Sequence, residues 1–288
     1  MPSSEELLQE DGWTQVIEPH GHLFDLKLRE LWRYRDLILL FVHRDFVAQY
    51  KQTILGPAWH FIQPLFTTVI FTIVFGNIAK ISTEGTPPFL FYMAGTVIWG
   101  YFSTVLTKTS NTFVGNAGIF GKVYFPRLAV PVATLISSLI GFAIQFFFFL
   151  CFLIYFAWAG AQVQLNSWIL ATPLLLLMMA AFGLGCGVIV SALTTRYRDL
   201  AVVVGFGVQL WMYLSPIIYP VSSLPEPYRS WAMLNPIAPI VELFRYAYLG
   251  AGTASIGFLG YGFVVITVIL VVGVMLFNKV ERTFMDTV

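Results

Sequence analysis

Long stretches without charged residues alternate along this chain with short stretches that contain them. An α-helix rises 1.5 Å per residue, so about 20 apolar residues are needed to cross the roughly 30 Å hydrocarbon core of a membrane. One charge-free stretch, residues 128–195, is long enough for two crossings and is interrupted by the polar segment 159–167. The pattern therefore predicts six membrane-spanning helices: 55–79, 88–107, two within 128–195, 200–221 and 256–278.

The segment before the first predicted span has a helical periodicity of its own. Between residues 26 and 52, apolar residues such as Leu31 and Ile38 recur on one side, whereas Arg29 and Arg33 lie on the other. This predicts an amphipathic helix at the membrane surface, with a buried helix of a small soluble domain as the alternative. Residues 1–25 form a polar, acidic extension without the apolar core of a signal peptide, so we expect a cytoplasmic N-terminus.

Composition and the distribution of basic residues agree with this topology. Hydrophobic residues make up 58% and charged residues 11% of the chain, against roughly 25% charged in soluble domains. Placing both termini (including the tail 280–288) and the loops 108–127 and 194–199 in the cytoplasm puts all but three of the 16 Lys and Arg residues there. The positive-inside rule supports this orientation of a six-span region, 53–279. The net charge of +1 gives no reason to expect nucleic acid as a partner.

Several kinds of chemistry are disfavoured. The predicted spans contain no Asp, Glu, Lys or Arg, whereas proton- or ion-coupled transporters usually need such groups in the membrane. Residues 115–123 lack the spacing of a phosphate-binding loop, and no protease, hydrolase or metal-ligand motif occurs. We therefore expect no catalytic residue, metal or cofactor in this chain. Glu242 and Arg245 are interpreted as an ion pair on a short helix, with a membrane-embedded transferase site as the alternative.

The loop of residues 108–127 is unusually apolar. Ile119, Phe120 and Phe125 lie close together in the sequence, beside Lys122 and Arg127. An ordinary short loop need not expose such a cluster, so it predicts either a docking surface for a second protein or a segment that lies on lipid. The residues alone favour neither.

Several motifs occur in order along the predicted spans. They are RDFVAQYKQTILGPAW at 44–59, NAGIFGKVYFPR at 116–127, RYRD at 196–199, SPIIYP at 215–220 and NP at 235–236. In this combination residues 25–285 resemble the permease subunit of ABC-2 type exporters, particularly those that export lipid-linked O-antigen, capsule or teichoic acid polysaccharide. The alternatives are an ABC-2 exporter of small amphiphiles and a membrane-embedded transferase acting on polyprenyl-linked substrates.

The resemblance implies a homodimer in the bacterial inner membrane, bound to a separate ATPase dimer that holds ATP and Mg²⁺. The surface helix, the loop 108–127 (a coupling helix in this family) and the RYRD loop would face that ATPase. The residues expected at the contact, including two from the apolar cluster, are Arg44, Asp45, Lys51, Asn116, Ile119, Lys122, Phe125, Pro126, Arg127, Arg196 and Asp199.

The segment 222–253 resembles the re-entrant outer hairpin of these permeases. It contains four prolines and an apolar stretch too short to cross. A plain extracellular loop is the alternative.

Aromatic residues make up 17% of the chain, and rings in a pore can stack on sugar faces. Residues 146–149 are expected to face lipid, and the glycines at 183, 185 and 187 are expected to allow close helix packing. The candidates for a substrate channel, with anchoring at the membrane interfaces as the alternative, are Tyr92, Trp99, Tyr101, Trp211, Tyr213 and Tyr219.

Overall fold

The computed structural model describes residues 28–51, 53–120, 125–194, 197 and 199–283. Within these ranges every regular element is a helix or a helical turn and there is no strand, which confirms the predicted all-α fold class. The extension 1–25 and the predicted coupling residues Lys122 and Arg196 lie outside the described residues.

Five helical segments among the described residues are long and apolar enough to cross a membrane. Their helices are α3 (Trp59–Phe71), α4 (Pro88–Ser110), α6 (Ala129–Trp158), α7 (Thr172–Thr194) and α11 (Ile256–Thr283). Helix α3 follows a 3₁₀ turn at Gly56–Ala58 and continues as a π-helix at Thr72–Ile78. Helix α7 follows a 3₁₀ turn at Ser167–Ala171. The shorter helices are α1 (Leu28–Arg33), α2 (Arg35–Tyr50), α5 (Thr112–Phe120), α8 (Leu200–Leu214), α9 (Glu226–Met233) and α10 (Ile237–Leu249).

Helix α8 is shorter than the predicted fifth span, 200–221. It ends at Leu214 because Ser215 is extended, with ψ 150°, and a residue that precedes a proline is disfavoured in the helical conformation. Its 15 residues are about 22 Å long. The helix alone is therefore too short for the hydrocarbon core.

Helix α4 is the centre of the bundle. It packs against α3, α6, α7, α8 and α10, and most of its side chains are buried.

Helix α7 lies between α4 and α11. A Cβ atom at Gly187 would lie 2.6 Å from Thr109 of α4, and one at Gly185 would lie 3.0 Å from the Leu270 backbone of α11. The expected close packing through the glycines of this span is confirmed.

Helix α2 packs against α6 at one end of the bundle, which we call the α2 end. Ile38 and Phe41 are buried there, and the Phe41 ring lies 5.4 Å from the Phe125 ring. The predicted apolar side of the segment therefore contacts the chain itself. Leu39 and Leu40 remain exposed, which leaves apolar surface available for lipid.

The phenylalanines at 146–149 do not share one environment. Phe147 is exposed, as the prediction of lipid contact requires, but Phe149 is completely buried. Its ring lies 5.7 Å from Phe244 and 5.6 Å from Tyr248, both in α10. The prediction of lipid contact is therefore wrong for Phe149, because α10 covers this side of α6.

Helices α9 and α10 lie at the opposite end, which we call the α10 end. Together with a 3₁₀ turn at Val221–Ser223 they fill the segment 222–253. Helix α10 is buried along almost its whole length and ends at Gly250, whose φ of 74° suits glycine. The segment is thus two short helices rather than a plain loop.

Candidate functional site

A groove with a volume of about 580 Å³ runs between α3, α4, α6 and α8. Its length along α4, from Thr96 to Lys108, is about 18 Å. The polar side chains that line it include four glutamines and four hydroxyl residues: Gln49, Gln63, Gln145, Gln209, Thr67, Thr96, Ser103 and Thr104. Aromatic rings come from Trp59, Phe71, Trp99 and Tyr213. Among the described residues that line the groove, Lys108 alone carries a formal charge.

A chain of polar contacts closes the α2 end of the groove. The Lys108 ammonium donates to Gln49 Oε1 at 3.1 Å, and Gln49 Nε2 lies 3.3 Å from His60 Nε2. A side chain at Gly141 would meet the His60 ring at 2.9 Å, so the glycine leaves room for the imidazole. These contacts connect Lys108 of α4, Gln49 of α2 and His60 of α3.

The structure brings together two of the six aromatic residues predicted for a channel. Trp99 and Tyr213 line the groove. Tyr92 and Tyr101 are buried inside the bundle, where the ring centres of Tyr101 and Phe142 lie 5.6 Å apart. Their contribution to a path for substrate, like that of all six residues, stays a prediction.

The two remaining aromatic candidates lie elsewhere on and after α8. The Trp211 ring packs 5.4 Å from Phe102 and 5.4 Å from Phe182. Tyr219 follows the helix, and its hydroxyl donates to the Leu214 carbonyl at 3.2 Å. Neither residue is among those that line the groove.

Three of the predicted coupling residues meet at the α2 end. The Arg44 guanidinium lies 2.8 Å from Asp45 Oδ1, 3.5 Å from Asn116 Oδ1 and 4.7 Å from the Phe41 ring. These contacts connect α2 to α5. Lys51 and Asp199 are exposed.

The apolar cluster in the loop 108–127 differs from the prediction. Phe120 is 4% exposed and Phe125 is 5% exposed, because both pack beneath α2. Ile119 is half-buried, Pro126 is buried, and the Arg127 guanidinium lies 5.5 Å from the Phe120 ring. The expectation that this cluster is exposed is therefore wrong for Phe120 and Phe125. The exposed side of α5 consists instead of Asn111, Val114, Gly115 and Gly118.

A buried charged network holds the α10 end together. The Arg245 guanidinium donates to the carbonyls of Pro216 and Ile217, each at 2.6 Å, and lies 3.7 Å from Glu242 Oε1 and from the Phe91 ring. The predicted ion pair is confirmed, and both partners are 0% exposed.

Glu84, which precedes α4, extends this network. Its carboxylate accepts hydrogen bonds from the Ser222 hydroxyl and the Gly252 backbone N–H. The network therefore fixes the segment after α8 and the segment after α10 to the start of α4.

The sequence analysis missed the glutamines of the groove. Gln63, Gln145 and Gln209 each lie in a different predicted span that is otherwise largely apolar. Because a carboxamide inside a membrane requires hydrogen-bond partners, their presence was a signal that these spans share a polar interior.

Several apolar helices around a polar groove define an integral membrane transport protein. The chain belongs to the ABC-2 type transporter family, whose sequence profile matches residues 36–249. It is 26% identical over 251 residues to the O-antigen export system permease protein RfbA of Klebsiella pneumoniae, covering 87% of this chain and 94% of that protein.

Two further relatives show the breadth of the similarity. The RfbA permease of Myxococcus xanthus is 26% identical over 221 residues, covering 76% of this chain and 82% of that protein. The polysialic acid transport protein KpsM of Escherichia coli is 22% identical over 247 residues, covering 85% of this chain and 93% of that protein. The resemblance seen in the sequence motifs is thus confirmed at the level of the family.

Proposed function

We propose that this chain is the transmembrane permease subunit of an ABC exporter that moves a lipid-linked polysaccharide across the bacterial inner membrane. A separate ATPase dimer, which binds ATP and Mg²⁺, supplies the energy. Family membership and the polysaccharide-exporting relatives support this proposal.

The chemistry of the groove carries the proposal. Sugars are rich in hydroxyl groups, which both donate and accept hydrogen bonds, and carboxamides and hydroxyls match them in both roles. The rings of Trp59 and Tyr213, which line the groove and are exposed, offer faces for sugar rings. A groove for small amphiphiles would need a more continuous apolar lining than these four glutamines leave.

The proposed topology has six crossings, with α8 and residues 215–221 together forming the fifth. The α2 end, which includes Arg44, Lys108 and Arg127, faces the cytoplasm in agreement with the positive-inside rule. Helices α9 and α10 re-enter the membrane from the outer side. Both termini are then cytoplasmic.

We further propose that two copies form the channel. Trp59 and Ile70 of α3 and Tyr213 of α8 line the groove yet remain exposed in the single chain. A second copy that covers α3 and α8 would close the groove into a path lined by both subunits. The ATPase dimer would bind at the α2 end, next to α5.

Deletion of the gene tests the main proposal. We expect surface polysaccharide to disappear while its lipid-linked form accumulates inside the cell, and a plasmid copy to restore export. Purification of the complex tests the other classes of protein: a bound ATPase stimulated by lipid-linked glycan is expected, whereas absence of an ATPase would favour a transferase. Normal surface glycan in the deletion strain would contradict the proposal.

A further inference from the structure

Gln145 of α6 is a buried amide whose acceptor atom has no described partner. Its side chain is 9% exposed, and its Oε1 atom makes no hydrogen bond within the described residues. A buried polar atom without a partner destabilises a protein, so such groups usually bind water or a ligand. Gln145 is one of the residues that line the groove, so a ligand in the groove lies next to this side chain.

The Gln145 amide packs against α4 in a gap left by the missing side chain of Gly100. A Cβ atom at Gly100 would lie 3.1 Å from Gln145 Oε1, so any larger residue at position 100 would press on the amide. Gly100 also lines the groove, between Trp99 and Ser103. The backbone at Gly100 is helical and places no demand on glycine itself. Glycine at position 100 is therefore explained by the room that the Gln145 amide needs beside α4.

We propose that Gln145 contacts the substrate by hydrogen-bonding a hydroxyl group of the transported glycan, and that Gly100 acts as a positioning residue by keeping the gap open. This inference rests on the proposed function and names a residue that recognises the uncharged part of the substrate. The Gln145 carboxamide accepts through Oε1 and donates through Nε2, as a sugar hydroxyl requires.

The location distinguishes this contact from one that binds an anion. Lys108, the charged residue of the groove lining, lies eight residues further along α4 than Gly100, which is about 12 Å. A phosphate held by Lys108 would therefore not reach the Gln145 amide directly. A neutral hydroxyl suits an amide that has no charged partner beside it.

A trapped water molecule is the competing occupant of the site. Water satisfies a buried amide without any role in transport. If water alone binds there, replacement of the amide by an apolar side chain of similar size should leave export unchanged and should not lower stability. If the substrate binds there, the same replacement should slow export although the complex remains stable.

The experiment uses the full chain in the deletion strain and in purified complex with its ATPase. For Gln145→Leu we expect normal assembly, an unfolding midpoint equal to or above that of the wild type, and a rate of surface-glycan export that falls roughly fivefold, as the loss of one hydrogen bond predicts. The stimulation of ATP hydrolysis by lipid-linked glycan extracted from the deletion strain should fall. Gln164→Leu, which removes an exposed amide outside the groove, should behave as wild type.

Gly100→Ala tests the gap. Its methyl group should displace the Gln145 amide and slow export to a similar extent. The double variant Gly100→Ala/Gln145→Leu should be no slower than Gln145→Leu, because both changes act through one group. Losses that multiply in the double variant would refute the role of Gly100.

Export at the wild-type rate by a stable Gln145→Leu complex would overturn the inference in favour of water. If that variant fails to assemble, Gln145→Met, which keeps a flexible unbranched side chain, replaces it with the same expectations. If the wild-type chain itself restores no surface glycan, the proposed function is wrong and the inference falls with it. The wild-type control thus separates the two failures.

Discussion

At the scale of single residues, the buried ion pair shows how one side chain can fix a loop. The Arg245 guanidinium satisfies two consecutive carbonyls, Pro216 and Ile217, in a place that water does not reach. Its removal would leave these carbonyls and the Glu242 carboxylate without their partner. Removing one partner of a buried ion pair lowers the free energy of unfolding by about 3–5 kcal/mol.

We therefore predict that Arg245→Leu lowers the unfolding midpoint of the detergent-solubilised protein strongly or prevents its assembly. Glu242→Gln should be milder, since the amide keeps an oxygen that can accept the hydrogen bond from the Val221 N–H. The matched control is Arg229→Leu, which removes an exposed pair with Glu226 and exposed hydrogen bonds to the Leu224 and Ser222 carbonyls. It should cost less, because water can replace these partners. Equal midpoints for Arg245→Leu and Arg229→Leu would contradict this account.

A second residue-scale prediction concerns the contact between α7 and α4. Gly187→Ala places a methyl group 2.6 Å from Thr109 Cβ and 3.0 Å from the Leu106 carbonyl, so the helices must separate. We expect destabilisation of about 1–3 kcal/mol, as for other overpacked cores. Gly118→Ala in α5 meets open space and should be neutral or stabilising. Thermal unfolding of both variants measures the difference, and a Gly187→Ala protein as stable as Gly118→Ala would show that the contact is loose.

The residue scale was also the hardest to predict. Trp99 and Tyr213 were identified because aromatic rings are conspicuous, whereas Gln145 was missed because one amide in an apolar stretch has no motif. Tyr92 and Tyr101 share their chemistry with the lining residues but are not among the residues that line the groove. Only the rotation of α4 against its neighbours decides this, and no local pattern in the sequence specifies that rotation.

At the scale of helices, α5 joins the predicted coupling region to the bundle. One side of α5 is buried, and the other presents Val114, Gly115 and Gly118. Among the described residues, no atom lies within 4 Å of a Cβ built at either glycine. A partner backbone can therefore approach this side closely, which suits the proposed contact with the ATPase.

We predict that Val114→Glu leaves the permease folded but abolishes copurification of the ATPase, because the new charge would be buried without a partner in the contact. Leu165→Glu, an exposed position at the other end of the bundle, is the control and should retain the ATPase. Phe125→Asp should behave differently from both: its side chain is buried beneath α2, so the variant should lose stability. Full ATPase recovery with Val114→Glu would place the contact elsewhere.

The helices themselves could largely be predicted, because each needs only a charge-free stretch of sufficient length. The predicted spans at 88–107 and 256–278 closely match α4 and α11. In the fifth predicted span, 200–221, the helix itself is shorter than the apolar stretch, because the Ser215–Pro216 step ends it at Leu214. Burial of Phe120 and Phe125 could not be foreseen, since it depends on a distant helix, α2.

At the scale of the whole molecule, the groove is incomplete in one chain. The exposed residues Phe66 of α3 and Phe206 of α8 belong to the two helices that flank it. If a second copy closes the groove, these helices face the partner and not lipid.

We predict that coexpression of two tagged copies, one with Phe66→Cys and one with Phe206→Cys, gives a disulfide-linked dimer on mild oxidation. Both copies carry Cys151→Ala, because that cysteine is exposed. As a control, the Phe66→Cys copy is coexpressed with a Val268→Cys copy. Val268 is an exposed position on α11, so this pair should give no disulfide-linked dimer. Equal yields from both pairings would indicate random collision in the membrane and would contradict the proposed interface.

The central position of α4 also has a consequence for biosynthesis. The ribosome makes α4 before α6, α7 and α10, yet those later helices cover most of its surface. Until they arrive, polar groups of α4 such as Thr109 and Ser110 have no helix beside them. A truncated chain that ends before residue 167 should therefore be degraded rapidly in pulse-chase labelling, and coexpression of residues 159–288 should rescue it. The native arrangement is then completed only after most of the chain has entered the membrane.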